Sequence, residues 1–372
     1  MLALIREMQP AEKVYVEKLF ASNLGVIDRI MFKLSFEAAQ KSAPKQSGGT
    51  LVAEHAGKIV GAVSMRIQSI KATQAGFINA LVVAKEFRGR AVGKLLVDGA
   101  ISWLEQRGCA VIYATADRYN SPSWNIFIHR GFHPYEIPQQ LRDYGLDLLR
   151  LWLVEFHFIG YGTFFLKRDK SSDAPRPTSG VWHWLAAILG VSIVWWIQIL
   201  RGQGPFALMP AVLAVVAISL IAHEFAQKLV ARKLGLATEF KAWGSGILFS
   251  WLLALAGGFF PAYGSTYLKQ LDWKYAPQKD KTGIFFAIGP LVSLILGFMF
   301  LAIPKFTVDS LLLDAARVGY ATNLLIVIFN LIPLQAAGGF VWDGRKILSW
   351  NKTAWIALAT ATAALITLSI LL

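Results

Sequence analysis

The apolar run Phe206–Ala222 passes without a break into His223-Glu224, and this junction constrains the chain more than any other stretch. An apolar segment of that kind crosses a bilayer as a helix, because hydrocarbon offers peptide groups no other partner. An ionisable pair at the end of such a span is costly and marks a functional site by default. Positions four apart share a helix face, so His223 and Gln227 point the same way with Glu224 beside them. H-E-x-x-H is the zinc-protease arrangement, two imidazoles on the metal with Glu as general base. Here Gln227 offers an amide oxygen in place of the second imidazole, a poor zinc ligand. The five residues alone also fit a membrane helix that ends in a capped, charged interfacial turn.

Their surroundings are more specific. HEFAQKLVARKLG is followed by EFKAW, by AIGP at Ala287–Pro290, by FNLIP at Phe329–Pro333 and by Trp342-Asp343-Gly344. Together these resemble the site-2 protease family of intramembrane metalloproteases, its archaeal members most closely, over roughly Val181–Leu372. The resemblance implies that His223 and Asp343 are zinc ligands and Glu224 the base. Gln227 stands in the second histidine's place, and LQAAGGFVW lengthens the segment before Asp343. A zinc site that is weak or empty is therefore expected.

The expected spans are Val181–Leu200, Phe206–Ala222 continuing as a helix towards Leu234, Gly283–Ile303, Val318–Leu334 and Thr353–Leu372. Ile247–Phe260 has only about two-thirds of the ~20 residues a span needs and is expected to be re-entrant or interfacial. The chain is 55% hydrophobic with a mean hydropathy of +0.48, too apolar for a soluble protein and too polar for a wholly membrane one. It reads as a multi-domain protein, with a soluble α/β domain over 1–169, a polar linker over 170–180 and a helical membrane domain over 181–372. The net charge of +14 is the positive-inside bias and contact with anionic lipid, not nucleic-acid binding. Cys109 is the one cysteine, so no internal disulfide can form. MLALIREMQPAEK carries acids and no long apolar region, which is not the pattern of a signal peptide.

Residues 1–170 alternate strand-like and helix-like patterns, the mark of a mixed α/β domain. Strands are expected at Leu2–Arg6, Thr50–His55, Ile59–Ile70, Gly76–Val83, Ala110–Ala116 and Tyr161–Lys167. Helices are expected at Pro10–Leu19, Val26–Phe36, from the Lys94 loop to Arg107, and at Ser121–Arg130. Leu141–Ile159 is apolar but carries five charges, and reads as a helix and strand capping the domain or lying against the bilayer. Between strand and helix lies Arg88-Gly89-Arg90-Ala91-Val92-Gly93-Lys94. Its glycines let backbone approach a ligand, and the helix it opens favours an anion. The loop alone fits a pyrophosphate cradle or a basic surface turn.

The segment Asn79–Phe132 is similar to the GNAT acetyltransferases, whose pattern is a strand, R/Q-x-x-G-x-G/A, a helix, a strand and an Asn-led helix closing in Gly-Phe. The resemblance implies acetyl-CoA as donor. Arg88, Gly89, Arg90, Ala91, Val92, Gly93 and Lys94 would hold its pyrophosphate, and the backbone of Leu81, Val82 and Val83 its pantetheine arm. Asn120, twelve residues before Phe132, falls where the family's coenzyme-contacting Asn sits. Direct transfer also needs a base for the amine proton and an acid for the thiolate. Many relatives use a Tyr seven residues after the helix Asn, a position that Phe127 fills here. His129 and Tyr119 are the nearby substitutes, with Glu54 or a bound water as the base, although a His on this helix also fits a surface role.

Lys167, Arg168, Lys170 and Arg176 ahead of the first span place the N-terminal domain in the cytoplasm. The resulting expectation is a multi-pass cell-membrane protein with a cytoplasmic acetyltransferase whose acceptor is an amine, either a protein lysine or N-terminus or a small amine, with a membrane protein as one candidate substrate. Two other readings stay open: an active zinc protease with an acetyl-CoA-binding module, and a scaffold or sensor with neither activity.

Overall fold

The computed structural model describes residues 3–23, 48–71, 73–117, 121–154, 163–169, 180–260, 262–268, 279–334 and 342–371. Those up to Asp169 form one compact unit and those from Gly180 onward a second.

The first unit runs β1 (Leu4–Glu7), α1 (Lys13–Asn23), β2 (Gly48–His55), β3 (Lys58–Ile70), β4 (Thr73–Val83), α2 (Val92–Gln106), β5 (Val111–Asp117), α3 (Ser121–Ile128), β6 (His133–Pro134), α4 (Ile137–Tyr144), α5 (Leu148–Val154) and β7 (Thr163–Asp169). The sheet order is β1-β2-β3-β4-β5-β7-β6. Only β4 and β5 pair in parallel, joined by the crossover helix α2, so the sheet is mixed. Ala56 and Gly57 both take positive φ, the hairpin turn whose twist suits the strands it joins. Val92, Leu96, Val97, Ala100, Ile101 and Leu104 recur at helical spacing and bury one face of α2 against Ile78, Ile112 and Leu166. Each fully buried Leu there contributes roughly 1.5–3 kcal/mol. On the other face Val16 and Phe20 of α1 pack on Val52, Ala62 and Val82.

Of the stretch Leu141–Ile159, expected to hold a helix and a strand, 155–159 lie outside the described residues, and as far as Val154 it is two short helices, α4 and α5. Gly145, with φ 56, breaks the run between them. Asp143 accepts from Tyr135 Oη at 2.8 Å and Lys167 Nζ at 3.1 Å, and Gln140 Oε1 accepts from Trp152 Nε1 at 2.6 Å. Asp143 therefore serves packing within the unit. The expected helix Val26–Phe36, Tyr119, Asn120 and nearly all of the expected linker lie outside the described residues.

The second unit runs α6 (Gly180–Gln198), α7 (Met209–Lys233), β8 (Thr238–Ala242), α8 (Gly244–Leu255), β9 (Gly264–Leu268), α9 (Lys279–Ala302), α10 (Ser310–Leu331), α11 (Asp343–Trp350) and α12 (Lys352–Leu371). Five helical segments are long and apolar enough to cross a membrane: Gly180–Gly202, Phe206–Lys233, Asp280–Lys305, Ser310–Leu331 and Lys352–Leu371. The 12-residue α8 is shorter than a span. The fourth segment begins at Ser310, not at Val318 as the hydropathy implies. Asp309 caps it by accepting from Leu312 N at 2.9 Å, and Arg317 pairs with Asp314 at 2.8 Å, so two charges sit in its first turns. Polar side chains tie the helices: Trp195 Nε1 donates to Thr322 Oγ1 at 3.0 Å and Asn323 Nδ2 to Ser219 Oγ at 2.8 Å. β8 and β9 form an antiparallel pair that hydropathy does not announce. Gly264 permits it, since a Cβ there would stand 2.6 Å from the Lys241 carbonyl oxygen.

Candidate functional site

In the first unit β4 and β5 stay paired only from Ala75 opposite Val111 to Ile78 opposite Ala114, and then part. At the same level the β3–β4 register shifts, leaving Asn79 as a bulged residue. The Asn79 amide oxygen is buried with no hydrogen-bond partner among the described residues, an unmet acceptor beside the fork. Ala84 N donates to the Val60 carbonyl at 2.9 Å, so by strand alternation Val82 turns its backbone to β3. Leu81 and Val83 turn theirs to the fork. Arg88 Nε donates to the Val83 carbonyl at 3.2 Å.

The loop between β4 and α2 takes left-handed backbone at Gly89 (φ 78) and Ala91 (φ 61). Ala91 is the residue before α2, and no side chain caps the helix there. The N–H groups of Val92, Gly93 and Lys94 in its first turn therefore face outward for a ligand. Arg88, Arg90 and Lys94 are exposed around them. A Cβ on Gly93 would lie 3.4 Å from Ile126 Cδ1, 3.7 Å from Val83 Cγ2 and 4.0 Å from Leu81 Cδ2. Gly93 thus packs between α3 and the side chains of β4. Arg130 fixes α3 beside α2 through Asp98, at 2.5 and 2.7 Å, and the Lys94 carbonyl at 3.2 Å.

Phe127 is buried against Phe132, with ring centroids 5.2 Å apart, and supplies packing but no proton. His129 is exposed, its Nδ1 2.7 Å from the Asn125 carbonyl oxygen of its own helix. Glu54 is not a base for this site. It lies on β2, two strands from the fork, and accepts from Arg6 Nε at 2.8 Å. Glu54→Gln is accordingly expected to leave kcat for acetyl transfer within about twofold of wild type, as steady-state kinetics would read. Tyr113 is paired with Tyr144 beneath the sheet, and burial pushes its phenol far above the ordinary tyrosine range, so it does not titrate near neutrality.

In the second unit His223, Glu224 and Gln227 of α7 are buried together with Asp343. His223 Nδ1 is 2.8 Å from Ser293 Oγ on α9. One turn earlier on the same helix face, a Cβ at Gly289 would stand 2.4 Å from His223 Nε2 and 2.7 Å from Gln227 Nε2, so the α9 backbone closes over both side chains. Glu224 Oε1 accepts from Tyr263 Oη at 3.1 Å and Oε2 from Thr266 Oγ1 at 2.5 Å. The unexpected strand β9 and the residue before it thus hold the carboxylate. Trp342 N donates to the Leu334 carbonyl at 3.3 Å, which ties the residue before α11 to the chain just after α10 and sets Asp343 beside the α7 residues. There Asp343 accepts from the Gln227 amide and from Lys346 Nζ, the latter at 3.1 Å. Sequence reading named His223, Glu224, Gln227 and Asp343 and missed Ser293, Tyr263, Thr266 and Lys346. Two of these had a legible signal: Ser293 lies four residues after Gly289, and Lys346 three after Asp343, each on its partner's helix face.

Zinc is the ion that the membrane half's motifs imply. A catalytic zinc takes three protein donors of imidazole, thiolate or carboxylate type and keeps one position open. Here the donors are one imidazole, one amide and one carboxylate already bonded to an ammonium. Among the described residues no group of three or more His, Cys, Asp or Glu is placed to hold an ion. This donor set does not fit a catalytic zinc.

A mixed-sheet domain with a basic loop at its fork, ahead of a unit with five helices long and apolar enough to cross a membrane and a buried polar centre, defines the class: an acetyltransferase joined to an intramembrane-protease-like domain. Residues 19–132 match the family model "Acetyltransferase (GNAT) family". The chain is 30% identical over 154 residues, 40% of its own length and 76% of the relative's, to MJ0611 of Methanocaldococcus jannaschii, provisionally named a zinc metalloprotease. It is 30% identical over 103 residues to the N-alpha-acetyltransferase MAK3 of Arabidopsis thaliana, covering 28% of this chain and 54% of that one. A structure of Arabidopsis thaliana Naa50 with the bisubstrate analogue CoA-Ac-MVNAL aligns at 14% identity and a TM-score of 0.33, over 45% of this chain and 99% of that one. The chain belongs to the site-2-protease-like family of MJ0611 and carries a GNAT acetyltransferase domain ahead of that region.

Proposed function

We propose that this chain is a membrane-tethered N-acetyltransferase that moves the acetyl group of acetyl-CoA to a protein N-terminal amine, and that its membrane half is not proteolytic. The observation that carries the first part is the uncapped start of α2 at the β4–β5 fork. Main-chain N–H groups of Arg88–Lys94 hold the pyrophosphate, with Arg88, Arg90 and Lys94 as counter-charges. The pantetheine arm follows the Leu81 and Val83 edge, and Asn120 contacts the coenzyme. In the transfer step the amine nitrogen bonds the thioester carbon, the C–S bond breaks, and the amine proton is lost as the thiolate gains one. With Phe127 in the core, the proton carriers are His129, Tyr119 or ordered water. The N-terminal amine as acceptor is supported by the name of the MAK3 relative.

The test is the purified full chain in nanodiscs with acetyl-CoA and two peptides, one with a free N-terminus and no lysine, the other N-terminally blocked with a lysine. Product is expected only on the first. Preference for the second would overturn the acceptor, and product on neither would overturn the acetyltransferase reading.

Orientation follows from charge. Lys228, Arg232, Lys233, Lys241, Arg345, Lys346 and Lys352 all fall on the side of the α7 C-terminus when α8 does not cross. The N-terminal domain and that side are cytoplasmic. Thiol labelling of single-cysteine variants in a cysteine-free background should find positions 274 and 352 cytoplasmic and 372 external. External labelling at 274 would make α8 a full crossing and overturn this topology.

A further inference from the structure

We propose that the ammonium of Lys346 takes the place of a metal ion at the polar centre of the second unit and is what keeps one out, so that Gln227 and Lys346 are two halves of one replacement. The inference rests on the reading above that this half holds no catalytic zinc.

A buried carboxylate needs a cation or several donors. Asp343 is 6% exposed and is the carboxylate in the ligand position of the membrane half's motifs. Lys346, 8% exposed, brings Nζ to 3.1 Å from Asp343 Oδ1 and stands 3.9 Å from the Phe286 ring centroid. The ammonium is therefore enclosed by a carboxylate and an aromatic face, a setting that holds a cation. Gln227 completes the arrangement. A histidine there would present a ring nitrogen that can serve a metal, whereas the amide donates N–H to Asp343. Both oxygens of Glu224 already accept hydrogen bonds, from Tyr263 and Thr266. A divalent ion bound to Asp343 would stand within a few ångströms of Nζ with little water between them, where like charges repel strongly.

If Gln227 alone kept the site weak or empty, Gln227→His would restore zinc. The structure says that it should not suffice. The experiment uses the full chain in detergent as wild type, Gln227→His, Lys346→Met and the double variant, each dialysed against zinc and then zinc-free buffer, with metal read by elemental analysis. The double variant is expected to hold about one zinc per chain, the three-donor complement. Wild type and both single variants should stay at background. Full loading of Gln227→His alone would overturn the role of Lys346 while leaving the non-proteolytic reading intact. A stoichiometric zinc in wild type would overturn both. A double variant that folds and holds no zinc would also overturn the proposal. Should it fail to fold, wild type decides: added zinc is expected to leave its Tm unchanged, and a concentration-dependent rise would show an ion binding the native site and overturn the proposal.

Discussion

Asp343→Leu is expected to destabilise the membrane half by about 3–5 kcal/mol, the largest effect of any single substitution at its polar centre. The change removes one partner of a buried pair, taking from the Lys346 ammonium beside the Phe286 ring the carboxylate it meets at 3.1 Å. It also leaves the Gln227 amide without its acceptor. Lys346→Met should cost a similar amount by stranding the carboxylate. The double variant Asp343→Leu/Lys346→Met should recover most of the loss, because two apolar side chains of similar volume need no mutual compensation. Denaturation of the full chain in mixed micelles, followed by tryptophan fluorescence, reads all three. The exposed pair Arg317–Asp314 is the internal control, and breaking it should cost under about 1 kcal/mol. Additive losses in the double variant would mean that each side chain acts through separate contacts and that the pair is not what seats α11.

The parts legible in the sequence are those governed by local pattern. The strands of the first unit alternate or run apolar between turn residues, and α2 shows its apolar stripe, so most of those elements fall within a few residues of their expected ends. The loop from Arg88 to Lys94 is a local feature too, since its glycines, charges and helix start are contiguous. What hydropathy could not show depends on distant partners. β8 and β9 are five residues each and pair across the whole of α8. Neither is periodic enough to stand out, yet β9 supplies Thr266 to Glu224. The true start of α10 was hidden because Asp314 and Arg317 look like loop charges until they are seen to pair. Glu54 looked like a free acid only because Arg6, its partner, is 48 residues away in the chain. Lys346 was in plain sight three residues after Asp343, but surface lysines are common near span ends and its burial required the packing of α9.

The other large effect belongs to the donor site, where Gly93→Glu is expected to weaken acetyl-CoA binding by at least about a thousandfold, a loss of roughly 4 kcal/mol. Two consequences act together. A Cβ at Gly93 already meets Ile126, Val83 and Leu81 at contact distance, so a longer side chain must displace them beside the free edge of β4. The added carboxylate also stands at the start of α2, where the helix dipole and the exposed Arg88, Arg90 and Lys94 would otherwise meet the pyrophosphate. A second anion there satisfies the same N–H groups and repels the ligand. Gly93→Ala separates the two contributions: its methyl meets Ile126 at 3.4 Å, contact that a flexible side chain absorbs, and should weaken binding by no more than about tenfold. The measurement is calorimetric titration of acetyl-CoA into the full chain in nanodiscs. Arg90→Ala should lower affinity more at low salt than at high salt, because its contribution at an exposed loop is screened. Equal affinity in wild type and Gly93→Glu would mean that acetyl-CoA does not lie across the start of α2, and with it the assignment of the Arg88–Lys94 loop would fall.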